Sequence, residues 1–459
     1  MGFYLIAIGA VFFVTLALGW TLARALRSLV AKGDRAFPSR RASVILFSDY
    51  PEDARPRREA EVLLRAGFEV DILCLRRLHN DPLHENVDGA NVYRLPLERR
   101  RNGPLTYFLQ YGAFLLAAFV FLSFRSFRRY RVVHIHNMPD VLVFSALVPR
   151  LLGARIILDM HDPMPELFRV LYRLDENSVT LRCLKSIEKW STRFAHLVVT
   201  PNKAFKEVFV ARGTPPGKIE IVMNSPDETT FNSSKFPKVD KALGFHIMFH
   251  GSLLERNGLS LAIDAVDQLR HRIPDLKLHI HGDPNRHSAE MMQKVDRLGL
   301  SPNVDYHGYT LLQEIPAAIL TVDLGLIPNL SNPFNEINLP TRIFEYLIIG
   351  KPVVVPRTKG ILDYFQEEEL LFFEPGDADD LAGKIEWAFR NPVQLQEIVK
   401  CGRIVYMKHR WKVEQRRFLT AVEALLSPPN TCEPGSTELI LSTQAKAESR
   451  SLVDQGFRD

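Results

Sequence analysis

The stretch Asn335–Pro356, NEINLPTRIFEYLIIGKPVVVP, decides how this chain is read. A loop closes at Pro340, and a helix follows whose apolar face is Ile343, Phe344 and Leu347. Gly350 just past that helix, with Pro352 two residues on, is a helix stop. Residues 353–355, all valine, then read as a strand buried on both faces of a parallel sheet. A helix N-terminus beside such a sheet suits an anionic ligand, because its free N–H groups point outward. Glu345 sits next to the apolar face, with Arg342 one turn earlier. On spacing alone the two read as a solvated i, i+3 pair, worth roughly a few tenths of a kcal/mol.

The same strand–helix alternation extends in both directions. Downstream of a polar segment at 225–243, strands are expected at 246–250, 277–281, 304–307, 324–327, 353–355 and 371–373, with helices between. Upstream, strands are expected at 42–47, 69–73, 132–136, 155–159, 197–200 and 219–223. Residues 49–59, DYPEDARPRRE, read as a charged loop before a helix at 60–66. That loop has no glycine before Gly67, so a G-x-G-x-x-G dinucleotide site is not expected. The pattern gives two α/β domains, each with its own parallel sheet, facing across a cleft that is the default site. The expected boundaries are 42–224 for the first domain, 225–243 for a linker and 244–391 for the second. Helices follow over 392–426, anchored by Trp411 and Phe418, and a polar tail over 427–459.

The N-terminus has a different character. Gly2–Ala23 is apolar without a charge, long enough to cross a bilayer core of about 30 Å. Basic residues follow in the linker 24–41, so the body of the protein is expected on the cytoplasmic side of a single-pass anchor over 1–23. Leu105–Phe124 is a second apolar segment, followed by Arg125, Arg128, Arg129 and Arg131. Strands of one sheet flank it, so a single crossing is excluded by topology. It reads as a helix lying in the membrane surface with its arginines toward headgroups, or as a core helix. The four cysteines are scattered, which argues against a disulfide scaffold or a zinc site.

Several motifs could carry chemistry. His134–His136 and His279–His281 are each H-x-H, whose two imidazoles face one way on a strand. No third metal ligand is evident near either, and strand-end histidines are the simpler reading. Asp377–Asp379 reads as a helix cap. His161, in DMHDPMPELF, lies just beyond the carboxyl end of a strand, where open α/β sheets bind ligands. In HGSLLERNGL, Gly251 and Gly258 admit close backbone approach and Arg256 offers a charge for phosphate. No hydrolase, zinc-protease or P-loop motif is present.

Taken in order, HIHNMPD, LDMHDPMPE, VVTPNKAF, IVMNSPD, FHGSLLERNGLSLAIDAV, LKLHIHGD, VDLGLIPN and LPTRIFEYLIIGKPVVVP resemble the family 4 retaining glycosyltransferases of the GT-B fold, over about residues 41–426. The resemblance implies two Rossmann-like domains and metal-independent transfer of a sugar from a nucleotide diphosphate sugar, with no further cofactor. Donor-binding residues would be Gly251, Ser252, Arg256, Asn257, Arg342 and Glu345. Glu345 would hold the ribose hydroxyls, and His161 would be the catalytic residue near the sugar and its phosphate. The final helix would cross back to the first domain. Many members carry a second glutamate where this chain has Ile337, with Glu336 beside it as a sugar contact. Many also have an arginine and a lysine where Ser252 and Asn257 stand, which leaves Arg256 and Arg342 as the candidates for the diphosphate. The acceptor would be a glycan or a lipid-linked one, with the membrane and no nucleic acid as partner. The alternatives are a nucleotide-sugar epimerase of similar architecture and an inactive membrane-tethered binding protein.

Overall fold

The computed structural model describes residues 40–97, 104–126, 130–232, 235–236 and 243–427, with only the backbone described for 104–108. The apolar stretch Gly2–Ala23, most of the basic linker and the tail beyond Ser427 lie outside the described residues.

Two sheets organise the chain. The first contains β1 (Arg41–Asp49), β2 (Glu69–Leu75), β3 (His84–Val87), β4 (Ala90–Leu95), β5 (Val132–His136), β6 (Arg155–Asp159), β7 (Leu197–Thr200) and β8 (Ile219–Ile221). Its order is β3-β4-β2-β1-β5-β6-β7-β8, parallel throughout except for β3 against β4. The second contains β9 (Phe245–His250), β10 (Leu276–His281), β11 (Val304–Gly308), β12 (Leu324–Leu326), β13 (Val353–Pro356) and β14 (Leu371–Phe373). Its order is β11-β10-β9-β12-β13-β14, all parallel. Both sheets reverse direction once, between β1 and β5 and between β9 and β12. At such a switch point the loops leaving the carboxyl ends diverge and open a crevice for ligand. The strands beside these crevices, β5 and β9, are buried at every residue, which is why they read as unbroken apolar-rich runs.

Three segments tie the halves together. The helix Pro392–Lys408 buries Val405 and Tyr406 in the second half, whereas the helix Trp411–Leu426 buries Trp411, Phe418 and Val422 against the first sheet. Arg58 lies 5.0 Å from the Trp411 ring and donates to the Ser225 carbonyl, fastening that return. The loop after β12 sends Phe334 and Ile337 into the apolar core of the first sheet, and Asn202 Nδ2 donates to the Ile337 carbonyl (3.2 Å).

Some expectations are corrected. Residues 54–59 are not loop: the helix runs Ala54–Arg65, and Arg55, Arg58 and Glu59 are buried in it. Their charges hide an inward face, because each meets a buried polar partner rather than water. The antiparallel β3–β4 hairpin was not anticipated. Residues Asp140–Ala146 form a 3-10 turn followed by only a short helix, Leu147–Leu151. The helix Pro104–Arg125 packs Phe114, Leu115, Ala118 and Leu122 into the first core. Among the described residues, no helix is long and apolar enough to cross a membrane. Arg125 does not point away from the protein: it pairs with Asp71 (3.1 Å) and lies over the Tyr93 ring.

Candidate active site

The first crevice is lined by Phe47, Ser48 and Asp53 at the end of β1, by His136, Asn137 and Met138 after β5, and by His161 and Asp162 after β6. Tyr111 of the Pro104 helix closes one side. His161 Nε2 and His136 Nδ1 lie 2.8 Å apart and share a proton. The His161 backbone N–H donates to Asn137 Oδ1 (2.8 Å), and Asn137 Nδ2 donates to the Asp162 carbonyl (2.9 Å). These bonds hold the loop after β6 against the loop after β5. Nδ1 of His161 has no hydrogen bond among the described residues, which leaves it for a substrate.

Behind His161 lies a buried polar cluster with no exposed face. Arg55 grips Asp159 with two hydrogen bonds, Nε to Oδ2 (2.8 Å) and Nη2 to Oδ1 (2.9 Å). Glu59 Oε2 lies 3.4 Å from His134 Nε2 and 3.8 Å from His136 Nε2, and both oxygens of Glu59 lack a hydrogen-bond partner. Burial opposes the charge on Asp159, yet the Arg55 guanidinium and then His161 hold its carboxyl well below the usual range. Burial pushes Glu59 well above that range despite Arg55. It lowers His134 to about 4 and holds His136 well below its ordinary value. The cluster is therefore organised on the Arg55–Asp159 ion pair, while burial favours the uncharged forms of Glu59, His134 and His136. Glu59, His134, His136 and Asp159 place ligand atoms within 4.8 Å of one another, so the third and fourth partners of the first H-x-H exist after all. Arg55 already supplies a cation to this group, paired with Asp159 and 3.3 Å from Glu59, and the group fits a structural support for His161.

The second crevice is built by the loops after β9 and β12 and by the helix Arg342–Ile349. Arg342, first residue of that helix, donates to the His250 carbonyl and to Asn329 Oδ1 (3.4 Å). It lies over the Phe249 ring and against Gly251, where a Cβ would meet the Arg342 side chain at 3.3 Å. Arg256 stacks on Phe334 (4.5 Å), and its Nε and Nη1 are buried without a partner. Among the described residues, no carboxylate is within ion-pair distance of either guanidinium, and burial lowers the pKa of both. Gly258 takes φ 74°, and a Cβ there would stand 1.7 Å from the Pro328 carbonyl oxygen, so the loop bearing Arg256 needs glycine.

Glu345 is nearly buried, and its Oε2 accepts from His250 Nε2 at 2.7 Å. His250 Nδ1 in turn meets the Tyr346 hydroxyl (2.8 Å), which also reaches the Met248 carbonyl. The solvated Glu345–Arg342 pair is thus absent: each residue bonds a different part of His250. One oxygen of Glu345 stays open for a ligand diol. The remaining expected donor residues have local duties. Asn257 Nδ2 donates to the Ser252 carbonyl (2.7 Å), bracing the loop. Glu336 accepts from the Lys359 backbone N–H (3.1 Å), at the start of the short helix after β13. The Asp377 side chain accepts from the Asp379 and Asp380 N–H groups, as a helix cap does.

His250, Arg55, Glu59, Asn137 and Asp162 carry no role in the sequence reading, and His136 enters it only as half of an H-x-H. His250 could have been found as the last residue of a strand at a switch point. Arg55 and Glu59 are an i, i+4 pair whose inward turn no local signal shows.

Residues 53–225 match the family described as glycosyl transferase 4-like domain, and residues 244–391 match glycosyl transferases group 1. The chain carries the two domains of a GT-B glycosyltransferase. The 2-deoxystreptamine glucosyltransferase of Streptomyces kanamyceticus is 23% identical over 282 residues, 59% of this chain and 70% of that one. In fold, sucrose-phosphate synthase of Thermosynechococcus elongatus matches with a TM-score of 0.65 at 17% identity, covering 84% of this chain and 99% of the other. Anabaena HepE in complex with UDP-glucose matches with a TM-score of 0.63 at 17% identity, with the same coverage of 84% and 99%. This glycosyltransferase has its two crevices at the carboxyl ends of the two sheets, His161 in one and Glu345 in the other.

Proposed function

We propose that the chain transfers a sugar from a nucleotide diphosphate sugar, held on the second sheet, to a lipid-linked or glycan acceptor in the crevice of the first, with retention of configuration. One observation carries the reading. Arg256 and Arg342 are partly buried cations with no carboxylate in ion-pair distance among the described residues, beside a half-used carboxylate at Glu345. Burying unpaired charge is costly, and a diphosphate would supply the countercharge that both guanidiniums lack and the acceptors that Nε and Nη1 of Arg256 lack. A ribose diol suits the open oxygen of Glu345. HepE, a relative in fold, is described with UDP-glucose.

In this reading the bond from the sugar's anomeric carbon to the phosphate breaks while the acceptor oxygen bonds on the same face. The acceptor proton passes to the leaving phosphate oxygen. The protein contributes position and charge stabilisation: the arginines offset the developing negative charge, and His161, oriented by His136, hydrogen-bonds the sugar or its phosphate. The apolar Gly2–Ala23 supports a membrane-anchored enzyme with its crevices facing the cytoplasm.

The test is a panel of nucleotide sugars against the purified full chain by thermal shift, followed by turnover with membranes. One nucleotide sugar should raise Tm, and its label should enter a lipid or glycan fraction only when Glu345 is intact. Release of an isomerised nucleotide sugar without acceptor, or no nucleotide binding, would refute the reading.

A further inference from the structure

The helix Pro104–Arg125 has two apolar faces, and among the described residues only one is covered. Phe114, Leu115, Ala118 and Leu122 fill the first core. On the outer side Leu109, Leu116, Val120 and Phe124 are 63%, 46%, 43% and 75% exposed, with Ala113 between them. Their three- and four-residue spacing makes one stripe about four turns long. No charged residue interrupts the sequence from Pro104 to Phe124. Single exposed leucines are ordinary on a protein surface, whereas a continuous apolar stripe marks a partner.

Three observations name the partner. First, residues 24–40 are all that separate the apolar Gly2–Ala23 from β1, and a chain of that length reaches at most about 60 Å. Second, the point where the chain enters β1 lies beside the last turn of this helix. The Arg131 N–H donates to the Arg41 carbonyl (2.9 Å), and Arg125 holds Asp71, which stands opposite Ser43 of β1. In the sequence, Arg24, Arg27, Lys32, Arg35 and Arg40 lie between the apolar stretch and β1, a charge suited to anionic headgroups. Third, Tyr111, on the same helix and within the run of the stripe, lines the acceptor crevice.

We propose that this stripe seats in the lipid–water interface of a bilayer, so that the crevice beside Tyr111 opens toward the membrane. The consequence for the acceptor, which would arrive as a lipid-linked molecule, rests on the transferase reading above; the docking itself is measured without turnover.

The experiment reconstitutes the full chain in vesicles of neutral and anionic phospholipid containing a photoactivatable phospholipid, and maps the cross-linked peptides by mass spectrometry. Lipid adducts are expected on the peptide holding Leu109–Phe124 as well as on Gly2–Ala23. In the double variant Leu116→Gln, Val120→Gln, adducts on the helix should fall roughly tenfold while those on Gly2–Ala23 persist. Adducts on Gly2–Ala23 alone, or cross-links joining the helix to Gly2–Ala23 or to a second copy, would overturn the proposal. Nucleotide thermal shift on the same double variant separates the two ideas. Retained donor binding with lost lipid adducts supports docking, whereas absent donor binding in the wild type refutes the transferase reading and leaves the lipid map standing.

Discussion

Glu345 Oε2 and His250 Nε2 lie 2.7 Å apart, and this contact, rather than one with Arg342, fixes the carboxylate in the second crevice. The imidazole is itself held by the Tyr346 hydroxyl, so the carboxylate is oriented before any ligand arrives. Glu345→Ala should therefore raise the donor KM, by roughly 10- to 100-fold if two hydroxyl bonds are lost. His250→Phe should give a smaller rise, because the carboxylate remains but loses its orientation. Equal donor KM values in wild type and Glu345→Ala would remove Glu345 from the ribose site.

Arg256 gives a prediction with opposite signs for stability and binding. Its buried guanidinium lacks partners, so Arg256→Met should leave the ligand-free Tm unchanged or raise it, with the thioether stem still packed on Phe334. The donor-induced rise in Tm should shrink or vanish. A lower ligand-free Tm together with an intact donor shift would show that Arg256 is structural.

The buried histidines set an acid limit. His134 is lowered by burial to about 4, so the unfolded chain takes up a proton near its ordinary value while the folded protein does not. Their contribution to stability is full above about pH 6.5 and is lost as pH falls toward 4, on the order of 3 kcal/mol for this one group. Glu59, raised by burial, acts in the other direction, since its folded-state proton stabilises at low pH and that contribution fades as pH rises. Comparing wild type with His134→Gln by urea unfolding from pH 7 to pH 4.5 leaves Glu59 common to both. The wild type should lose more stability on acidification; parallel curves would contradict a neutral buried His134.

Gly258→Ala should abolish donor binding at modest cost elsewhere. A Cβ 1.7 Å from the Pro328 oxygen forces the loop after β9 away from that after β12. The expected destabilisation is about 1–3 kcal/mol, and the donor thermal shift should disappear because Arg256 moves with the loop. Wild-type donor affinity in this variant would mean that the loop position is not needed.

Apart from β3 and β4, the strands of both sheets were legible because burial on both faces leaves a local mark, a short apolar run closed by turn residues. β5, β6 and β7 fall where the sequence reading places them, and the Asp377 cap likewise needs only its own neighbours. Ser252 and Asn257 are expected as donor residues, and Glu336 as a sugar contact, by position in a motif, while Asn257 is engaged by a hydrogen bond within its own loop and Glu336 by the backbone of Lys359 after β13.

What the sequence by itself determined is the two-sheet α/β plan, the order of its motifs, and the placing of His161, Arg256, Arg342 and Glu345 at strand and helix ends. Tertiary structure alone decided who meets whom. Arg55 and Asp159 are 104 positions apart, and only the stacking of the Ala54 helix on the first sheet turns a charged stretch that reads as loop into a buried cluster. Ile337 stands where a carboxylate is expected, and its partly buried side chain packs against the core of the first sheet, where a charge would lose part of its water. The Glu345–Arg342 pair, plausible at i, i+3, gives way to His250, which the pairing of β9 with β12 brings beside the helix. Periodicity reports which face of an element is apolar; it carries no information about distant polar partners, and those partners set the chemistry of both crevices.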